Sequence, residues 1–147
     1  LTSAKGLANG LPIGVTLCKD WIAENPGSHG STFSGGPVIC AAGNATIDVI
    51  LNENLPKNAS KIGSYLLKEL KETIGARTRD IRGSGLLIGI EVKRGSGSIL
   101  NKLAMDHGIL ALPAGKTVVR ILPPLTLDRS HADDFISAMG SLSEDIL

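Results

Sequence analysis

Six apolar residues, Leu55, Ala59, Ile62, Leu66, Leu70 and Ile74, recur at spacings of four and three. That period puts them on one side of an α-helix, and no other stretch of the chain limits the fold as tightly. The helix is predicted to open at Leu55-Pro56 and stop at Gly75, with Lys57, Lys61, Lys68, Glu69, Lys71 and Glu72 on its wet side. A helix with one apolar face needs a second layer to cover it.

The residues downstream supply that layer. Leu86–Val92, LLIGIEV, reads as a buried strand reached through Ile81-Arg82-Gly83-Ser84-Gly85. The triplet Gly83-x-Gly85 with Gly89 is not a dinucleotide fingerprint, because a strand and not a helix follows the glycines. Gly95–Gly97 reads as a turn and Ile99–Asp106 as a helix stopped at His107-Gly108. Ile109–Leu112 and Thr117–Leu122 read as strands around Pro113-Ala114-Gly115, and Pro123-Pro124 suits the end of an edge strand. Ser130 with Asp133 makes a capping box for a last helix whose inner face carries Ala132, Phe135, Ile136, Met139 and Leu142. From Leu55 onward the pattern is a small α/β unit.

The first part reads differently. Ile13–Leu17 is a short β-prone run, and Asp20–Glu24 makes one helical turn before the break at Asn25-Pro26-Gly27. Ser28–Gly36 is too rich in glycine and serine for regular structure and reads as a functional loop. Pro37 opens a helix, with Ser34 or a glycine as its cap. Ala41, Ala42, Ala45 and Val49 suggest that this helix, running to Leu51, is packed on several sides.

A chain of 147 residues, 42% hydrophobic and 20% charged, is globular in composition. A net charge of +1 gives no electrostatic reason to expect nucleic acid or an anionic membrane as partner, and 3% aromatics is too few for base stacking. No apolar run reaches the length of a membrane span. Cys18 and Cys40 fit no metal spacing and are expected to be reduced core thiols of a cytosolic protein. His29, His107 and His131 have no neighbouring Cys or acidic residue that suggests a metal or a triad, and no metal is expected.

Lys5 stands in a small-residue run, LTSAKGLANGLPIG, with Gly6 and Gly10 on its C-terminal side. A lysine in such a turn can hold phosphate as a point charge or form an imine with a carbonyl, but on that feature alone it reads as a solvated loop lysine. Ser31 and Thr32 offer hydroxyls in a Gly-flanked loop, which suits a phosphate, or else merely cap a turn. Arg120 shares a strand face with Val118 and Leu122. Taken alone it is an edge-strand arginine with its stem on apolar surface and its head in water.

Three segments resemble one family. Thr2-x-x-Lys5-Gly6-Leu7 with Asn9-Gly10-x-Pro12-x-Gly14 is similar to the lysine segment of class III pyridoxal-phosphate aminotransferases. Gly27-Ser28-His29-Gly30-Ser31-Thr32-Phe33-Ser34-Gly35-Gly36-Pro37 resembles that family's next signature, in the right order and at the right separation. Gly108–Leu125, with Val118-Val119-Arg120-Ile121-Leu122-Pro123-Pro124, is closest to the acetylornithine and carrier-linked aminoadipate-semialdehyde branch. The family commonly has asparagine where this chain has Gly36, which would loosen the fit of the loop locally.

The resemblance covers essentially the whole chain and implies an α/β fold, the C-terminal part of a fold-type I pyridoxal-phosphate-dependent transferase. Residues 1–36 would be the end of the large domain, 37–54 a connecting helix, and 55–147 the small C-terminal domain. It implies that Lys5 bonds pyridoxal 5′-phosphate as an imine and shuttles a proton. Ser31 and Thr32 would bind the cofactor phosphate of the neighbouring subunit in a homodimer, and Arg120 would grip the α-carboxylate of the amino-acid or 2-oxo-acid substrate; His29 would be a structural loop residue. The function implied is amino transfer between the terminal amine of an ornithine- or lysine-type substrate and 2-oxoglutarate, in cytoplasmic arginine or lysine biosynthesis. Ornithine- and 4-aminobutyrate-type activities, or a non-catalytic assembly module, are the alternatives. There is no initiator methionine, and the family's ring-pairing aspartate, stacking aromatic and first phosphate loop are expected upstream of Leu1. The chain alone is therefore expected to be an inactive fragment.

Overall fold

The computed structural model describes residues 1–22 and 30–143. The expected break at Asn25-Pro26-Gly27 and the role of His29 lie outside them. The chain divides into two compact units, Leu1–Asn54 and Leu55–Leu147.

The second unit is built on the stripe. Helix α2 spans Leu55–Ile74, and all six stripe residues are buried. Burying each large side chain of that kind contributes about 1.5–3 kcal/mol. The layer beneath is a four-stranded antiparallel sheet. Its strands are β3 (Asp80–Ser84), β4 (Leu87–Glu91), β5 (Leu112–Ala114) and β6 (Val118–Ile121), in the order β3-β4-β6-β5. Helix α3, Ser96–His107, packs on β5 and β6, and helix α4, Arg129–Ser141, packs on α2. Ile81, Ile88, Ile90, Val92 and Val119 face the helices, with Ile99, Leu103, Phe135 and Met139 closing the core.

Several boundaries depart from the sequence pattern. The glycine-rich lead-in at residues 81–84 belongs to strand β3, because it pairs residue for residue with β4, and Gly85 forms the turn between them. The strand expected at Ile109–Leu112 lies later and includes Pro113, which is tolerated because β5 is an edge. Strand β6 is interior, so the edge reading of Pro123-Pro124, and of Arg120 with it, is corrected. The helix expected from Ile99 already starts at Ser96, and it ends at Gly108 with a φ of 66°. The capping box of Ser130 and Asp133 does not form. Asp128 caps α4 instead, and Asp133 accepts from the Tyr65 hydroxyl while Arg129 lies 4.2 Å over the Tyr65 ring.

Side chains tie these elements together at their ends. The Arg77 guanidinium donates to the Leu142 and Gly140 carbonyls at 2.6 and 3.2 Å, holding the end of α4 near the end of α2. The Asn58 amide donates to the carbonyls of Leu125 and Leu127 at 2.8 and 3.0 Å, fixing the loop that follows β6.

In the first unit, β1 (Thr2–Ser3) pairs with β2 (Val15–Thr16), so the expected strand at Ile13–Leu17 forms only at its centre. Helix α1, Pro37–Asn52, is capped by Gly36 without a side-chain bond. Ser34 instead donates to the Ser31 carbonyl at 3.1 Å. The expectation that α1 is packed on several sides is corrected. Gly43 is its one buried residue, resting against Ile13 and the Leu7 carbonyl, while Val38 and Leu51 are 75% and 68% exposed. Cys18 and Cys40 are exposed free thiols and not core residues, since apolar neighbours along the chain do not cover them in space.

Helix α2 and the β3–β4 turn meet backbone to backbone. A Cβ placed on Gly63 would lie 2.0 Å from the Gly85 carbonyl oxygen, and Gly85 has a φ of 53°. Alanine for glycine inside a helix ordinarily gains about 0.5–1 kcal/mol. Gly63→Ala is expected to reverse that sign and lose about 3 kcal/mol through overpacking, read as a lower denaturant midpoint. A midpoint at or above wild type would show that α2 lifts freely off the turn.

The Asp128 carboxylate accepts from the His131 backbone N–H at 3.0 Å, from the Ser130 hydroxyl at 2.9 Å and from the His131 ring at 2.7 Å. This corrects the expectation that His131 has no acidic partner. Chiefly through the backbone bond, the Asp128 carboxyl is held down at about 2. Its folded value lies below the unfolded value of about 3.9, so the cap stabilises above that pH and is lost as pH falls through about 2. The melting-temperature gap between wild type and Asp128→Ala is expected to be steady at pH 5 and to close on acidification. A gap that persists at the lowest pH would assign the effect to something other than the charge.

Candidate active site

Lys5, Ser31 and Thr32 lie in the first unit and Arg120 in the second. In the first, Lys5 opens a single 3₁₀ turn, Lys5–Ala8, and is itself in the left-handed region with a φ of 57°. A side chain with a Cβ is strained there, and such strain concentrates where function needs a side chain aimed in one direction. The surrounding structure holds it. Leu7 N–H donates to the Ala4 carbonyl at 3.2 Å, Asn9 N–H to Gly6 at 3.0 Å and Leu11 N–H to Ala8 at 3.1 Å. Ala8 is buried, and the turn packs on α1.

Lys5 lines a cavity of about 680 Å³ whose walls continue through residues 10–15, Ser31, residues 33–35 and Cys40. The volume is in the range of small-molecule sites. Glycines at positions 10, 14 and 35 leave backbone accessible along the wall. The fold thus brings Lys5 and Ser31 together. Thr32 is exposed and is not part of this wall. Cys40, in the first turns of α1, is a wall residue that the sequence pattern did not single out; its position just after the loop was the available signal.

In the second unit, Arg120 sits on the outer face of interior strand β6, directly across from Gly89 on β4 and Leu112 on β5. Its Nε is buried without a hydrogen-bond partner among the described residues. Arg82, in the same row on β3, contrasts with it. That guanidinium donates to Asp80 at 2.8 Å and to Glu91 at 2.9 Å. Of these two arginines in one row, Arg82 is paired with carboxylates of the chain and Arg120 has no carboxylate partner among the described residues. Among the described residues no group of three or more His, Cys, Asp or Glu is placed to hold a metal. No helix among them is long and apolar enough to cross a membrane.

Residues 1–142 match the family model described as "Aminotransferase class-III". The chain is 39% identical over 149 aligned positions to the acetylornithine aminotransferase of Methanothermobacter thermautotrophicus, covering 99% of this chain and 38% of that protein. Among solved structures, it superposes on the ornithine delta-aminotransferase of Plasmodium falciparum with a TM-score of 0.87 at 31% identity, over 95% of this chain and 37% of the other. An amine transaminase from an uncultivated Pseudomonas species, solved in its pyridoxal-phosphate-bound form, matches at a TM-score of 0.80 and 30% identity, over 94% of this chain and 36% of that one.

The chain belongs to the class III aminotransferases, enzymes that work with pyridoxal 5′-phosphate. It spans less than two-fifths of the length of the relatives it matches.

The residues present fit that cofactor. A primary amine and a serine hydroxyl line one cavity of suitable size, with Gly10, Gly14 and Gly35 among its wall residues. These are the donor types that a pyridoxal aldehyde and its phosphate need.

Proposed function

We propose that the complete protein moves an amino group between the terminal amine of an ornithine- or lysine-type substrate and 2-oxoglutarate. Acetylornithine or a carrier-linked equivalent is the favoured donor, in cytoplasmic arginine or lysine biosynthesis. The observation that carries this reading is Lys5, held in a strained left-handed turn on the wall of a cavity it shares with Ser31. The relatives named acetylornithine aminotransferase support the choice of donor.

Lys5 Nζ would hold the cofactor covalently, and Ser31 and Thr32 would bind the phosphate of the cofactor in the partner subunit. When bound, the cofactor supplies the electron sink for the substrate carbon that loses its proton. Once the substrate amine has displaced it from the cofactor, the freed Lys5 Nζ would take that proton and return it. Arg120 fixes the substrate's α-carboxylate with a planar fork that accepts two oxygens at once. Residues 1–36 are assigned to the end of the large domain, 37–54 to a connecting helix and 55–147 to the small domain. Activity is assigned to the complete protein and not to these 147 residues alone.

Borohydride treatment of the cofactor-loaded protein followed by peptide mapping is expected to leave a pyridoxyl group on Lys5. A label on another lysine would overturn the assignment.

The working form is read as a homodimer in which Ser31 and Thr32 serve the partner's phosphate. Thr32 supports this, because it is exposed and turned to no wall of its own chain's cavity. Subunit exchange between Lys5→Ala and Thr32→Ala proteins provides the test. If Thr32 acts in trans, one site of the mixed dimer carries both lesions and the other carries neither, so activity partly recovers. No recovery would place the loop in its own subunit's site.

A further inference from the structure

The register of the sheet puts Arg82, Gly89, Arg120 and Leu112 into a single row across its outer face. Between the two arginines the row has no side chain. Gly89 is on the face away from the core, its neighbours Ile88 and Ile90 being fully buried on the other. Core packing therefore does not require a glycine there. A glycine inside a strand weakens it, and often marks a place where a ligand or another group comes close to the backbone.

The residue directly opposite Gly89 on β6 is Arg120. Residues directly opposite in an antiparallel pair have Cβ atoms about 4.5–5.5 Å apart, so any side chain at position 89 would stand against the first carbons of the Arg120 arm. The Arg120 Nε is buried although the residue is partly exposed, so the arm lies along the sheet and does not stand out into water. A Cβ on Gly89 would also lie 3.3 Å from Val118 Cγ1. A larger side chain must then turn away from Val118, into the space beside Arg120.

We propose that Gly89 is a positioning residue that sets the height and angle at which Arg120 presents its guanidinium, and through that the preference for amines bearing an α-carboxylate. This rests on the reading of Arg120 as the carboxylate receptor. Arg82 does not duplicate it, because its Nη1 donates to both Asp80 and Glu91 and its charge is already paired with two carboxylates. The empty place beside Arg120 is thus the seat of one carboxylate and not of two.

The test uses the complete, cofactor-loaded enzyme and compares an amino-acid donor with the same amine lacking its α-carboxylate. Gly89→Val is expected to raise KM for the amino acid and for the 2-oxo acid by about tenfold, as small misplacements of a clamp do. It should leave kcat within about twofold and leave turnover of the decarboxylated amine unchanged. Arg120→Lys is the control. If it collapses the preference for the carboxylated donor while Gly89→Val does not, the role of Gly89 falls and that of Arg120 stands. If neither changes the preference, both readings fall. The double variant Gly89→Ala/Val118→Ala removes the tight contact but keeps a Cβ beside Arg120. It should still lose preference, and a wild-type preference there would assign the effect to Val118 and overturn the proposal.

Discussion

The backbone contact between Gly63 and Gly85 sets the depth at which α2 lies on the sheet, and most of the second unit follows from that depth. With no side chain between them, helix and turn approach as closely as two backbones can. The stripe from Leu55 to Ile74 then reaches Ile81, Ile88 and Ile90 without a gap. The same helix sends Asn58 to the loop after β6 and Tyr65 to α4. One element therefore fixes the β3–β4 hairpin, the loop following Arg120 and the last helix. Interiors packed at this density leave little room for a partial adjustment.

The helical stripe was legible because its signal is local: six residues and one period settle both the element and its buried face. Strands were less legible, since pairing is not written in the strand itself. Asp80–Ser84 holds one core residue, Ile81, beside charges and a glycine, and becomes a strand because β4 lies next to it. The prolines after Leu122 suggested an edge, yet they follow an interior strand and leave its ladder intact. At the start of α4, the capping-box pattern pointed to Ser130, while the cap in the structure is Asp128. The carboxylate prevailed because it gathers the His131 N–H, the Ser130 hydroxyl and the His131 ring together.

The site was legible as residue types and not as relationships. Lys5 stood out by its motif, but its left-handed backbone depends on how the turn packs against α1. Ser31 and Thr32 are adjacent in sequence, and only the first lines the cavity. Arg120 looked like any strand arginine until the register showed Arg82 beside it with both its carboxylates and Arg120 with none. Gly89 drew notice only in a rejected dinucleotide pattern, because a missing side chain acquires meaning only from what stands opposite.

The order β3-β4-β6-β5 leaves two edges, and their chemistry differs from that of the middle. Strand β5 has only three residues, and Pro113 at its centre has no N–H to offer. Strand β3 exposes Asp80 and Arg82 on either side of its single buried residue. An incoming strand would find an interrupted donor ladder on one side and fixed charges on the other. Both borders of the sheet are thus poor templates for growth by strand addition, so the sheet ends where its own sequence stops pairing.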